Sequence, residues 1–416
     1  MANVEVMGIR RWIADHVGAR PERQPVALLV YVISAIGVLG VSFISPVLPL
    51  MMEGLDLTDA QTGLIITVYT APVIAFVPVF GWLSDRIGRR PVIAFGLAVF
   101  GGAGATIFLT TSFHAVLALR IIQGVGFSAM MPLTTVLLGD LFTGEAEVGA
   151  QGLRVTFISF GSAVYPVLGG ALAEISWRLP FLLFAIAIPL GFVVITSLPR
   201  VGPTVNDSSD QSYLRSILSG AQDPLVASAL GVGFIRFFVR YGLWAYLPLL
   251  ATQRTLTATE IGIVIGAYGV GKMVVASQSR RVLAIGTPSV LMAGGLVVGG
   301  LLAAVLSVPS SFLVFLLVTL AFGAVNGVIA PLQKSLITQR VTADIRGGLI
   351  SATNVLQNAG KTLGPAVLGT LTTFLTLAEL LVVVGAIGAT AGVAIFGVIY
   401  RYHVTTPDAG PDIDRR

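Results

Sequence analysis

Gly161-Ser162-Ala163-Val164-Tyr165-Pro166-Val167-Leu168-Gly169-Gly170 returns 199 residues later as Gly360-Lys361-Thr362-Leu363-Gly364-Pro365-Ala366-Val367-Leu368-Gly369. A chain that repeats such a stretch nearly half its length away is built as two halves of one design. Each copy sits inside a long apolar run. Of the 416 residues, 55% are hydrophobic and 11% charged, where a soluble domain carries about 25% charged residues. Gly (48) and Pro (21) are frequent, and the mean hydropathy is +0.91, a mix usual for helices in lipid. These figures exclude a soluble enzyme, a disordered tail and a disulfide-stapled secreted domain. With no cysteine there is no redox switch, zinc knuckle or thiol nucleophile. His16, His114 and His403 are too far apart in sequence to suggest a histidine metal site, so no metal and no cofactor are expected.

A bilayer core of roughly 30 Å needs about 20 apolar residues in a helix. Twelve such spans are read: 25–51, 61–81, 91–111, 115–139, 149–173, 178–198, 224–250, 260–283, 287–307, 311–338, 346–374 and 377–401. Backbone polar groups in lipid must bond internally, so each span is a helix. The expected fold is an all-α membrane protein, with twelve transmembrane helices in two pseudo-symmetric six-helix bundles. The bundles are 25–198 and 224–401. Residues 1–24 form a polar N-terminal segment, 199–223 a flexible linker and 402–416 a tail. No cleavable signal precedes the first span. Sixteen loop and terminal arginines fall on one side, among them Arg10, Arg86, Arg89, Arg90, Arg340 and Arg416, and only Arg178 and Arg254 on the other. The positive side faces the cytoplasm, which places both termini there. The net charge of +5 therefore orients the chain in a bilayer and does not point to nucleic acid.

The loop after the second span reads Gly81-Trp82-Leu83-Ser84-Asp85-Arg86-Ile87-Gly88-Arg89-Arg90-Pro91. Span 4 contains Leu119-Arg120-Ile121-Ile122-Gln123-Gly124-Val125-Gly126, and span 5 has Gly152, Gly161, Pro166 and Gly169-Gly170. Together these resemble the loop, fourth-helix and antiporter signatures of the major facilitator superfamily, and the twelve-span drug:proton antiporter branch above all. The resemblance covers the whole chain. It departs at Tyr165, where the signature usually has Gly, and in the second-half loop Ser277-Gln278-Ser279-Arg280-Arg281, which has lost the acid and the glycines.

The resemblance implies that Asp85 faces the start of helix 11, near Arg346, where a carboxylate is favoured by free N–H groups and the helix dipole. Arg89 would pair with Asp140. With Gly81, Arg86 and Gly88, they would latch the halves in the outward-facing state. The plainer alternative is an orientation signal with a solvated charge cluster. Gly152, Gly161, Pro166, Gly169, Gly170, Gly360, Gly364 and Pro365 allow close helix contact and bending. Gly266-Ala267-Tyr268-Gly269-Val270-Gly271-Lys272-Met273 mimics a phosphate loop, but it lacks the final Ser or Thr and lies in an apolar helix.

Apart from arginines at the span ends, seven basic residues lie within spans: Arg120, Arg154, Arg236, Arg240, Lys272, Lys334 and Lys361. No acid lies deep in any span; Asp140 and Glu260 sit at span edges. A charge at the bilayer centre costs roughly 2.5 to more than 10 kcal/mol, so such residues face water, a partner or a ligand. They occupy spans 4, 5, 7, 8, 10 and 11, which by the resemblance line a central cavity. Arg154 and Lys334 lie near a membrane face, where snorkelling also accounts for them. Asn354, Gln357, Asn358 and Lys361 recur at i, i+3, i+4 and i+7. Such a polar stripe reads either as a cavity wall or as hydrogen bonding between helices. Tyr241, Trp244 and Tyr268 neighbour the cations.

Positive charge without carboxylates attracts anions. The expected substrate is a small anionic or neutral, acceptor-rich molecule, bound by Arg120, Arg236, Arg240, Tyr241, Trp244, Tyr268, Lys272, Asn354, Asn358 and Lys361. The leading reading is a monomeric transporter of the cytoplasmic membrane that exports its substrate against protons. Span 1 lacks the acid that cation-exporting relatives use, so the proton travels on a lysine or on the substrate. The alternatives are an organic-anion importer or exchanger of the same fold, and a non-transporting membrane sensor. No constellation of residues suggests an enzyme.

Overall fold

The computed structural model describes residues 24–198, 222–276, 278, 286–308, 311–340 and 343–405. The N-terminal segment 1–23, nearly all of the expected linker and the tail from 406 lie outside the described residues, as do Arg200, Arg215, Arg280 and Arg281. The described residues form twelve membrane-length helices: α1 (Gln24–Leu55), α2 (Asp59–Ile87), α3 (Arg89–Leu109), α4 (Phe113–Leu141), α5 (Glu145–Ile175), α6 (Leu179–Ser197), α7 (Pro224–Gln253), α8 (Ala258–Ala276), α9 (Pro288–Val305), α10 (Phe312–Arg340), α11 (Ala343–Leu371) and α12 (Leu377–Thr405). Eleven of them are long and apolar enough to cross a membrane. The twelfth, α11, is 29 residues long. Its polar residues Asn354, Gln357, Asn358 and Lys361 lower its mean hydropathy.

Helix starts repeat between the halves. Thr58 and Gln61 cap α2 reciprocally, Thr58 N–H reaching Gln61 Oε1 at 2.9 Å. Thr257 and Glu260 do the same for α8, at 2.9 and 3.3 Å. Each pair satisfies N–H groups that a helix start leaves free, and 58 plus 199 is 257. Asp223 accepts from the N–H groups of Leu225 and Val226, with Pro224 opening α7. α1 is broken at its centre by a tight turn at Gly37–Gly40 and by Pro46 in Ser45–Val47. There the Ile44 N–H bonds Val41 O at 3.1 Å rather than Gly40 O, which frees the Gly40 carbonyl.

Packing follows the repeat. In the first bundle α1 lies on α5, α2 and α3 on α4, and α3 on α6; in the second, α7 lies on α11, α8 and α9 on α10, and α9 on α12. Two seams join the bundles, α2 with α11 and α5 with α8, and each is the other's image under the repeat. On the approximate axis Ser45 Oγ donates to Trp244 O, two residues 199 apart.

The seams are tight at the end that holds Arg178 and Arg254. A Cβ added to Gly170 would strike Ala258 O, and one on Gly262 would strike Pro166 O. Glu174 Oε1 accepts the Thr259 N–H at 2.9 Å, reaching from α5 to the start of α8. At the arginine-rich end the bundles part. A Cβ at Gly81 or at Gly152 would have nothing within 4 Å, and the Asp85 side chain is 49% exposed. The gap between the bundles therefore opens at that end.

Candidate functional site

The gap narrows onto a cluster built by α7, α8 and α11. Arg240 Nη1 donates to Tyr268 Oη at 2.9 Å. Its guanidinium lies 4.3 Å from the Phe237 ring and 5.1 Å from the Tyr241 ring. Lys361 Nζ donates to Asn358 Oδ1 at 2.7 Å and stands 5.0 Å above the same Phe237 ring and 5.9 Å from Tyr241. A cation over a ring face is held by the ring quadrupole, so Phe237 and Tyr241 support both charges at once. Lys272 lies one turn after Tyr268 on α8. Trp244 is buried and meets Tyr268 edge to face at 4.9 Å, which fixes the tyrosine that Arg240 binds.

The polar stripe of α11 faces this space. At about 100° per residue, Asn354, Gln357, Asn358 and Lys361 share one side of the helix, away from Leu363 and Val367 on its exposed apolar side. Exposure falls along the stripe, from Asn354, which is exposed near the open end, to half-buried Asn358 and Lys361. Such grading describes a wall that deepens into the protein.

Among the described residues, no carboxylate pairs with the cluster. The ion pairs among the described residues both belong to Arg89, with Asp85 at 3.0 Å and with Asp140. What the cluster offers a ligand is positive charge, aromatic faces and amide groups, a combination that suits an anionic or acceptor-rich amphiphile.

Two of the expected site residues make their hydrogen bonds elsewhere, although Arg236 also lies 4.9 Å from the Phe237 ring. Arg120 is fully buried in the first bundle, donating to Ile65 O at 3.2 Å, Gly40 O at 2.7 Å and Gln123 Oε1 at 2.7 Å, beneath the Tyr69 ring at 4.4 Å. It occupies the carbonyl that the break in α1 sets free and so ties α1, α2 and α4 together. Arg236 turns into the second bundle, where Nη2 reaches Gln333 Oε1 at 3.3 Å. It lines a small cleft with Gly295, Gly299, Asn326 and Gly388. Phe237, the ring under both site cations, gave no signal in the sequence beyond its place between Arg236 and Arg240.

In the expected latch, Arg89 also bonds Ser84 at 3.2 Å, and Arg86 stacks on Trp82 at 3.9 Å. Gly88 takes a φ of +89° that closes the turn. Among the described residues, Arg89 is the one partner of Asp85; the Arg346 side chain is not among them. Among the described residues, the contacts of this cluster all lie within the first bundle. Of the packing glycines, Gly161 faces Ala35 O and the Tyr165 ring, Gly169 faces Phe43 O, and Gly360 and Gly364 lie against the carbonyls of Phe234 and Phe238 on α7. Pro166 and Pro365 sit inside α5 and α11. The 266–273 segment is uninterrupted helix within α8.

Comparison with known proteins agrees with this fold. A family profile described as Major Facilitator Superfamily matches residues 30–228 and 229–414, one match per half. The bacillibactin exporter of Bacillus subtilis (strain 168) is 27% identical over 354 residues, 80% of this chain and 86% of the relative. The quinolone resistance protein NorA of Staphylococcus aureus is 29% identical over 143 residues, 34% of this chain and 37% of that one. Among solved structures, a bacterial homolog of the human lysosomal transporter Spinster, inward-facing and unoccupied, superposes with a TM-score of 0.71 at 17% identity, covering 94% of this chain and 98% of the other. The human organic anion transporter MFSD10 (TETRAN) gives 0.65 at 20% identity, covering 90% and 100%. With twelve helices in two repeated bundles and a profile match across both, the chain belongs to the Major Facilitator Superfamily, whose members are transporters and not enzymes.

Proposed function

We propose that the protein exports an anionic or acceptor-rich amphiphile across the cytoplasmic membrane in exchange for protons. One observation carries the substrate class: Arg240 and Lys361 stand over the same two rings, Lys272 lies one turn after the tyrosine that Arg240 binds, and no carboxylate among the described residues pairs with them. In a water-poor cavity such charge attracts anions and repels cations. Arg240, Lys272 and Lys361 would hold the acidic group, with Asn354 and Asn358 as further polar contacts. Tyr241 and Tyr268 offer ring faces to the rest of the molecule, and Trp244 braces Tyr268. Arg236 adds its charge from behind. Arg120 acts through the fold of the first bundle.

The uneven arginine distribution supports a cytoplasmic arginine-rich end and cytoplasmic termini, and hence a conformation open to the cytoplasm. The printed roles of two relatives, an exporter and a drug-resistance protein, support the outward direction. The counter-moving proton exchanges on Lys361 or Lys272, which binds it when the substrate has left and releases it when the next anion arrives. The latch Asp85–Arg89–Asp140 would close onto α11 once the bundles meet at that end. One chain suffices for the cycle.

The test is transport into inside-out proteoliposomes, with anionic, neutral and cationic substrates of matched size and the lumenal pH recorded. Anions should enter fastest, and the lumen should turn alkaline as protons leave. Preference for cations would overturn the substrate class, and a constant lumenal pH would remove the proton.

A further inference from the structure

The two seams are images of one another, yet only one of them holds a wedge. In the α5–α8 seam the Pro166 carbonyl abuts Gly262 directly. The equivalent pair in the α2–α11 seam is Pro365 and Gly63, each shifted by 199. Here a Cβ on Gly63 would stand 3.5 Å from Pro365 O, but it would overlap the Tyr246 hydroxyl. Tyr246 comes from α7, is fully buried, and donates to Pro365 O at 3.1 Å. Its hydroxyl also lies 2.8 Å from where a Cβ on Gly369 would be. The phenol is thus seated between a helix of the first bundle and a helix of the second. Its counterpart under the repeat is Val47, which has no hydroxyl to offer.

From this asymmetry we infer that Tyr246 is the bolt of the arginine-poor gate, and that it ties the gate to the substrate site. For that end to open, α2 must leave α11, and the hydroxyl must lose its slot at Gly63. The bolt and the site share both of their helices. Arg240 and Tyr241 lie less than two turns before Tyr246 on α7, and Lys361 lies one turn before Pro365 on α11. A ligand that moves Arg240 and Lys361 relative to one another moves the donor and the acceptor of the bolt. The substrate-linked half of this inference rests on the anion reading above; the gate half does not.

The chain has no cysteine, so a single Thr362→Cys reports cleanly. Thr362 lies in the seam, 3.1 Å from Thr70. Labelling by a membrane-impermeant maleimide is measured from each side of oriented vesicles, without substrate. Tyr246→Phe, which empties the hydroxyl's slot at Gly63 across the seam while its bond to Pro365 is lost within the second bundle, should raise labelling from the arginine-poor side about two-fold. Gly63→Ala should raise it further. Adding Tyr246→Phe to Gly63→Ala should lower it again, because the nearest phenol atom to the new methyl is then the ring carbon at 2.8 Å. Parent-rate labelling in Tyr246→Phe, or a Gly63→Ala effect indifferent to residue 246, overturns the bolt. For the link, an anionic substrate should slow labelling in the parent and not in Tyr246→Phe; equal slowing in both cuts the site from the gate.

Discussion

Replacing Lys361 with methionine keeps the length of the side chain and removes its charge. An anion docked between Arg240 and Lys361 would sit at about 4–5 Å from each. At that distance a charge pair interacts by about 3–4 kcal/mol at an effective dielectric constant of 20. The bound anion gives up hydration to gain this, and a charged hydrogen bond is worth about 1.5–3 kcal/mol net. The expected loss is therefore about ten- to a hundred-fold in apparent affinity for an anionic substrate. A neutral analogue of the same shape should lose about three-fold or less, since it forfeits one ordinary contact. Lys361→Arg should retain most of the affinity. Asn358→Leu controls for the lost bond between Asn358 and Lys361 and should affect both substrates alike. The assay is equilibrium binding to purified protein with the two ligands in parallel. Equal losses for anion and neutral analogue in Lys361→Met would refute the charge argument, whatever their size.

Three further outcomes follow from other contacts. Asp85→Asn should slow turnover about ten-fold and leave substrate affinity within two-fold, since Asp85 lies at the arginine-rich end of α2, away from the cation cluster; steady-state flux against substrate concentration separates the two. Arg120→Met leaves the buried Gly40 carbonyl without its donor, at about 1–3 kcal/mol, and takes from Ile65 O the second of its two partners. The melting temperature in detergent should fall by several degrees, and Arg120→Lys should not restore it, because one ammonium cannot match a planar fork. Glu174→Ala removes the acceptor that binds Thr259 N–H across the second seam and should raise labelling of Thr362→Cys from the arginine-poor side about three-fold, whereas Glu174→Gln, which keeps an oxygen there, should raise it less.

The twelve helices were legible because lipid leaves so few options: each apolar run must be helical and about membrane-long. The duplication was legible at Gly161–Gly170 because close helix contact tolerates few residue types. It runs further than the sequence made plain, to the caps at Thr58 and Thr257 and to the Gly63–Pro365 and Gly262–Pro166 contacts. The pairing of Arg89 with Asp140 was also readable, from charge and family pattern. What stayed hidden depends on side-chain reach. Arg236 and Arg240 are one turn apart, yet one runs to Gln333 and the other to Tyr268. The partners of Arg120 are mostly backbone carbonyls, and a carbonyl freed by a helix break leaves no mark in residue type. Tyr246 looked like one aromatic among many; only its seat beside Gly63 sets it apart.

The halves kept their seams alike and let their interiors diverge. Under the 199-residue shift, Arg240 corresponds to Val41, Lys272 to Val73, Lys361 to Ser162 and Asn354 to Val155, while Tyr268 corresponds to Tyr69. The aromatic is common to both halves, but the site charges belong to the second alone. Packing explains why the first half cannot simply acquire them. Ser162 backs onto α8, where a Cβ on Gly269 would lie 2.9 Å from the Ser162 carbonyl carbon, whereas Lys361 stands over open aromatic faces. An anion bound here is therefore anchored to one bundle. As the bundles rock, the second bundle carries the ligand with it, and the first bundle changes which end is sealed. On that division of labour, substitutions at Lys361 and Arg240 act on affinity, and substitutions at Gly63, Asp85 and Glu174 act on the balance of states. A first-bundle variant that altered the preference between anion and neutral analogue would show that the division is wrong.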